Sequence, residues 1–233
     1  MDERERWLEE MNLFTIVALS DSAMYQNRMR EHQFPLIYLF SETDDNRSSC
    51  LSIATGLYRN GVTDRIAMAA NSKNPGYSGF EEWLRALYVD LIPDLRRLKR
   101  IDVVPIVVSG NLNTFSEARA MLRYAQEHGM GTVGVVAPAF HMPRAFLSTI
   151  SVSIRECPDI KVYALSGWVP DWWHKEVLHS QGTLKATRVH LIRTERERIA
   201  RYQREGHYYD GGDLVSFQQA FEYLRLRDWC SPA

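Results

Sequence analysis

The chain has 233 residues, 45% of them apolar, with 28 basic and 29 acidic side chains. That is enough for one large α/β domain, or two small ones, with a sizeable core. The near balance of charge argues against nucleic-acid binding, which usually leaves a basic excess. The charged amino terminus MDERERWLEE has no apolar stretch of the secretory kind, and no apolar run approaches the ~20 residues needed to span a bilayer. Cys50, Cys157 and Cys230 are widely spaced and show no metal-ligand pattern, so they read as free thiols of a reducing compartment. A cytoplasmic protein with no membrane partner is expected.

Residues 2–12 are charged and read as a short helix or an exposed lead-in. Leu13 to Leu19 is a continuous, partly β-branched apolar run. It predicts a first strand, buried on both faces as in a parallel sheet. Ser20-Asp21-Ser22-Ala23 follows it and makes Asp21 and Ser22 candidate ligand groups. An Asx turn or a helix cap is an equal reading, and the G-x-G-x-x-G of a dinucleotide site is missing. Phe34 to Phe40 predicts a second strand, whose start Pro35 confines to an edge or first position. Ser41 to Ser49 reads as a loop, and Leu51 to Tyr58 as a helix that stops at Asn60-Gly61. Arg65 to Ala70 predicts a strand. The polar loop Asn71 to Gly79 lies at its carboxyl end, where open α/β sheets bind ligands, so Asn71 and nearby Glu81 join the candidates. Phe80 to Leu91 has the apolar stripe of a helix, Trp83, Leu84, Leu87 and Leu91. The basic segment LRRLKR at 95–100 reads as a solvated face.

Val103 to Val108 predicts a strand interrupted by Pro105, leading into the turn Gly110 to Thr114. Thr114-Phe115-Ser116-Glu117 has the capping-box pattern, in which Thr114 would cap the Glu117 amide and Glu117 would reach back. Phe115, Ala118, Met121, Leu122 and Ala125 form the buried stripe of a helix ending at His128-Gly129. Thr132 to Ala137 predicts the next strand. It delivers Pro138-Ala139-Phe140-His141 to a helix with Pro143 in its first turn, running to about Glu156. Ile160 to Leu165 is the last strand of the sheet. Two successive βα turns of a parallel sheet open on the same edge. Asn113, Thr114 and Glu117 are therefore expected to face His141 and Arg144 across one cleft.

The texture changes at Ser166. GWVPDWWHKEVLHSQGT holds three of the six tryptophans. His174 and His179, five apart and without a cysteine or carboxylate set, do not make a zinc pattern. His179 and Gln181 are candidate ligand contacts from a covering loop. The tryptophans could instead sit in a homodimer interface. Leu184 to Gly206 predicts a helix with Val189, Ile192 and Ile199 on its buried side, Tyr208 to Asp213 a turn, and Leu214 to Arg227 a last helix. The alternation of elements predicts a doubly wound α/β domain over residues 1–165, with an aromatic loop and helical extension, 166–233, packed on it.

Asn113-Thr114-x-x-Glu117-Ala118, followed by a helix, a strand and then His141-x-x-Arg144-Ala145, resembles the DUF218 family, the YdcF/SanA/ElyC-like proteins. Ala54-x-x-Leu57-Tyr58-x-x-Gly61 is similar to a further motif of that family. The resemblance spans about Leu13 to Leu165 and implies a Rossmann-like three-layer α/β/α sandwich with a mainly parallel sheet. Two places depart from it. Ser20-Asp21-Ser22-Ala23 stands where the family has a glycine-rich turn, and Cys50 where it tends to place an arginine. The resemblance also brings S-adenosylmethionine or a nucleotide into consideration as a ligand.

From the residues themselves, Arg144 would bind an anion and His141 would act as acid or base, with Glu117 orienting it or sharing the proton. Asn113 and Thr114 would add contacts at the helix amino terminus. The expected function is a hydrolase or group transferase acting on a small polar or anionic metabolite, phosphorylated or nucleotide-like. The alternative is a binding protein for S-adenosylmethionine or a nucleotide without turnover.

Overall fold

A computed structural model describes residues 2–28, 33–73, 76–91, 101–167, 171–179 and 184–229, with backbone alone for 20–28, 90–91 and 228–229. The basic segment at 95–100, Gln181 and Cys230 lie outside the described residues.

The first element is α1 (Glu3–Arg28), one 26-residue helix. It replaces the strand expected at Leu13 to Leu19. A short continuous apolar run carries no periodicity that separates strand from helix. Burial separates them: Met11, Phe14 and Ala18 are buried, whereas Leu13 and Ile16 are 50% and 60% exposed. That is the one-sided stripe of a helix. Phe14 anchors it, with ring centroids 5.7 Å from Phe146 and 5.6 Å from Phe217. Asp21 and Ser22 consequently lie within a helix rather than at the carboxyl end of a strand.

The chain continues through β1 (Ile37–Leu39), α2 (Asp44–Arg59), β2 (Arg65–Ala69), α3 (Phe80–Leu91), β3 (Asp102–Ile106), α4 (Thr114–Glu127), β4 (Thr132–Pro138), α5 (Met142–Glu156) and β5 (Lys161–Gly167). After these come the strands β6 (Glu176–Leu178) and β7 (Lys185–Thr187), then α6 (Arg188–Arg204) and α7 (Phe217–Trp229). The five long-range strands form one parallel sheet in the order β3-β2-β1-β4-β5, while β6 and β7 pair antiparallel. This is a Rossmann-like α/β fold. Pro35 precedes β1, which is the central strand rather than an edge. Pro105 falls in the edge strand β3, where a missing N–H is tolerated.

Successive side chains of β1 point to opposite faces, and the two cores follow from that alternation. Leu36, Tyr38 and Phe40 join Val133, Val135 and Ala137 under α1, α4, α5 and α7. Ile37 and Leu39 join Ile66, Met68 and Val136 under α2 and α3. These are the three layers.

Two boundaries differ from expectation. Two-thirds of the loop predicted at Ser41 to Ser49, from Asp44 on, is the first turns of α2. The helix expected from Leu184 starts at Arg188, because Lys185 to Thr187 pair with β6. Its buried face is Leu191, Glu195 and Ile199, with Val189 and Ile192 only half-buried. No helix among the described residues is long and apolar enough to cross a membrane.

Candidate functional site

Strand order reverses at β1, from which the sheet grows one way through β2 and β3 and the other way through β4 and β5. Ligands of open α/β sheets bind outside the strand carboxyl ends at such a switch. Here β1 delivers Phe40-Ser41-Glu42-Thr43, and β4 delivers the turn that ends at His141. The turn after β3 brings Thr114, and the carboxyl-terminal extension brings His179 and Glu195.

The start of α4 decides what each of its polar groups can do. Asn113, not Thr114, is the N-cap: its Oδ1 accepts the Phe115 and Ser116 amides at 3.0 and 2.9 Å. Ser116 Oγ accepts the Asn113 amide at 3.0 Å and closes the capping box. The box thus lies one residue earlier than Thr114-x-x-Glu117, and asparagine is the stronger cap. This leaves Thr114 and Glu117 without the expected capping duty. Glu117 turns into the core, where its Oε2 accepts the Tyr38 hydroxyl at 2.9 Å and the Ser41 amide at 2.8 Å. Burial pushes its carboxyl up to about 7. Its hydrogen bonds run to Tyr38 of β1 and to Ser41 two residues beyond that strand, not to His141.

The Thr114 hydroxyl lies between Arg144 and His141. Arg144 Nη1 donates to Thr114 Oγ1 at 2.6 Å, and Oγ1 lies 3.2 Å from His141 Nε2. His141 Nδ1 is in turn hydrogen-bonded to Glu42 Oε1. A guanidinium can only donate, so Thr114 accepts from Arg144 and keeps its own hydrogen for His141 Nε2. The imidazole hydrogen then sits on Nδ1, facing Glu42. Glu42 and His141 are both fully buried. Burial drives the Glu42 carboxyl well above its ordinary range and His141 well below its own, with the nearby Arg144 charge adding to the fall of His141. His141 is therefore an unprotonated acceptor toward Thr114 at neutral pH.

Behind Arg144 is Glu195, bound bidentately: Nε donates to Oε2, and Nη2 to Oε1 at 3.2 Å. His179 Nε2 bonds the same Oε1. Burial would raise the Glu195 carboxyl, but the Arg144 charge and the His179 hydrogen bond hold it well below the usual carboxylate range. Burial lowers His179 against the pull of Glu195, so its neutral ring donates.

Several expected site residues lie elsewhere. Glu81 is on the exposed face of α3. Asn71 contacts the Val108 carbonyl at 3.4 Å, beside the outer strands. Asn113 is engaged as a cap. The side chains of Asp21 and Ser22 lie outside what the structure describes. Among the described residues no group of three His, Cys, Asp or Glu side chains is arranged to hold a metal ion.

Glu42 and Glu195 were not anticipated. Glu195 had a readable signal, since Leu191, Glu195 and Ile199 recur at the i, i+4, i+8 spacing of a buried stripe. Glu42 falls in the stretch Ser41 to Ser49 that reads as a loop, and nothing near it in the chain points to His141, 99 residues away.

A cleft of about 560 Å³ opens at this edge, lined among others by Asn113, Thr114, Arg144, Tyr202, Tyr208 and Asp213. Small-molecule sites run roughly 300–1,000 Å³. Tyr208 stacks on Phe115 at 4.8 Å, and its hydroxyl accepts from Asn113 Nδ2 at 3.0 Å. Asp213 also lines the cleft, and its Oδ1 is occupied by the His207 and Tyr208 amides, both at 2.8 Å. His141 does not line the cleft; it stands behind Thr114.

A Rossmann-type nucleotide or S-adenosylmethionine site needs a glycine-rich turn and an open helix amino terminus after the first strand. Neither is present. Asp44 and Asp45 start α2, and the Leu178 carbonyl sits over it, accepting Thr43 Oγ1 at 3.1 Å and Asn46 Nδ2 at 3.2 Å. The residues at that position do not fit such a ligand.

Fold and site together define a Rossmann-like α/β protein with a buried acid–imidazole pair behind a cleft-lining hydroxyl. In comparisons with known proteins, no family model and no curated protein matches the chain.

Proposed function

We propose that the protein is an enzyme, a hydrolase or group transferase, acting on a small polar metabolite in the cleft between the amino end of α4 and the carboxyl-terminal extension. One observation carries this reading. The Thr114 hydroxyl on the cleft wall is hydrogen-bonded at 3.2 Å to an imidazole whose other nitrogen is held by the buried Glu42 carboxyl group. Hydroxyl, base and orienting acid in line are the parts of a proton-transfer relay. His141 is the base, Glu42 sets its tautomer, and Arg144 supplies positive charge beside the hydroxyl. The motif shared with the DUF218 family, Asn113-Thr114 with His141-x-x-Arg144, supports the same location, and we read the chain as a relative of that family on this pattern. The covered amino end of α2 weighs against a nucleotide-binding accessory role.

The test is turnover of a panel of small esters, thioesters, amides and phosphoesters by the wild-type protein and by His141→Ala. The reading expects at least one class to be turned over, with a loss of roughly 10²–10⁴ in the variant. No turnover of any class, or an equal rate in the variant, would overturn it.

A further inference from the structure

The geometry points to Thr114 as a covalent nucleophile, with uncharged acyl compounds (esters, thioesters or amides) as the substrate class. This rests on the enzymatic reading above and goes beyond it, because a relay hydroxyl need not itself form a bond to substrate.

Three observations carry it. First, Thr114 and Arg144 are the members of the buried relay that line the cleft, whereas His141 does not. The Thr114 oxygen, with His141 Nε2 3.2 Å behind it, is therefore the atom of the relay that a carbonyl group in the cleft meets first. Second, that hydroxyl has a base on one side and a cation on the other, at 3.2 Å and 2.6 Å. A neighbouring base and a charge that stabilises the alkoxide are what turn an alcohol into a nucleophile. Third, the cleft offers little to a phosphate. Arg144 is bound bidentately to Glu195, and the carboxylate of Asp213 lines the same wall. Tyr202, Tyr208 and Phe115 complete a lining suited to an uncharged group with a flat or apolar part.

The step balances without any added reagent. Thr114 Oγ1 attacks the carbonyl carbon, and its proton passes to His141 Nε2. The tetrahedral oxyanion forms within reach of the Arg144 guanidinium. It collapses, the bond to the leaving group breaks, and His141 returns the proton to that group. The acyl group is now esterified to Thr114. Water attacks the ester and gives its proton to His141. The carboxylic acid leaves, and Thr114 regains its hydrogen. Ester and water become acid and alcohol.

The experiment uses p-nitrophenyl acetate with the full chain. Expected are a burst of p-nitrophenolate close to one per protein molecule and a single acetyl group located on Thr114 by peptide mass spectrometry. Thr114→Ala should lose both, Thr114→Ser should keep both, and His141→Gln should slow the burst by at least about 100-fold. Matching thermal unfolding of Thr114→Ala and the wild type, together with the serine rescue, separates loss of chemistry from loss of fold. Turnover with no burst and no acetyl on Thr114 would overturn the nucleophile assignment while leaving the enzymatic reading standing. So would acetylation that survives in Thr114→Ala. Absence of both turnover and adduct with this ester and with the whole panel would overturn the two together.

Discussion

Replacing Glu195 by alanine removes the carboxylate that holds Arg144 bidentately and accepts His179, where all three side chains are 3% exposed or less. Removing one partner of a buried ion pair leaves an uncompensated charge and costs about 3–5 kcal/mol. In a chain of this size 1 kcal/mol moves the melting temperature by about 2–4 °C, so Glu195→Ala should lower it by roughly 6–20 °C. Urea unfolding of the wild type, Glu195→Ala, Arg144→Met and the double variant would give the coupling directly. The double variant should be more stable than the sum of the single losses predicts, by about 1–3 kcal/mol, because removing both leaves no charge buried and uncompensated. The pH dependence has a definite sign. The folded Glu195 value is depressed, so its contribution is fully present above the unfolded carboxyl value of about 4.3 and is lost as pH falls toward the folded value. The gap between wild type and Glu195→Ala should thus stay constant from about pH 5 to 8 and narrow only in strong acid. A single loss below about 1 kcal/mol, or additivity within about 0.5 kcal/mol, would refute the argument.

Glu117 should behave oppositely. Burial raises its carboxyl to about 7, so the folded state gains most below the unfolded value and loses stability as pH rises through about 7. Glu117→Gln keeps an acceptor for Tyr38 and Ser41. It should be more stable than the wild type above pH ~7.5 by up to about 3 kcal/mol, at 1.36 kcal/mol per pKa unit, with no gain near pH ~4.5. Urea midpoints across that range would show diverging curves; parallel ones would sink the idea. For α1, Phe14→Ala should cost about 3–5 kcal/mol and Ile16→Ala less than about 0.5 kcal/mol. Equal losses would fit a strand buried on both faces and contradict the helix.

The sheet strands from β2 to β5 could be read in the sequence because each combines a short apolar, β-branched run with a turn signal on either side. Leu13 to Leu19 has the same apolar content and the opposite outcome. Its seven residues form a helix because α5 and α7 offer Phe146 and Phe217 to one face of it, and nothing in the run itself encodes that surface. With this run in a helix, β1 is the first strand of the sheet, and the switch point falls at Ser41-Glu42-Thr43. The proximity of Thr114 to His141 and Arg144 follows from two βα turns opening on one edge, and could be argued in advance. The partner of His141 could not, since Glu42 lies 99 residues away along the chain.

By itself, then, the amino-acid sequence determined the class of fold, the helix stripes and the two polar turns, all of which depend on local periodicity and on turn and cap chemistry. Only the tertiary structure decided that α1 is a helix, that Asn113 rather than Thr114 is the cap, and that Glu42 and Glu195 complete the cluster. Those outcomes depend on which surfaces and charges meet. A buried carboxyl group is tolerable only where distant partners reach it, His141 for Glu42 and Arg144 with His179 for Glu195, and that condition is met by the folded chain as a whole.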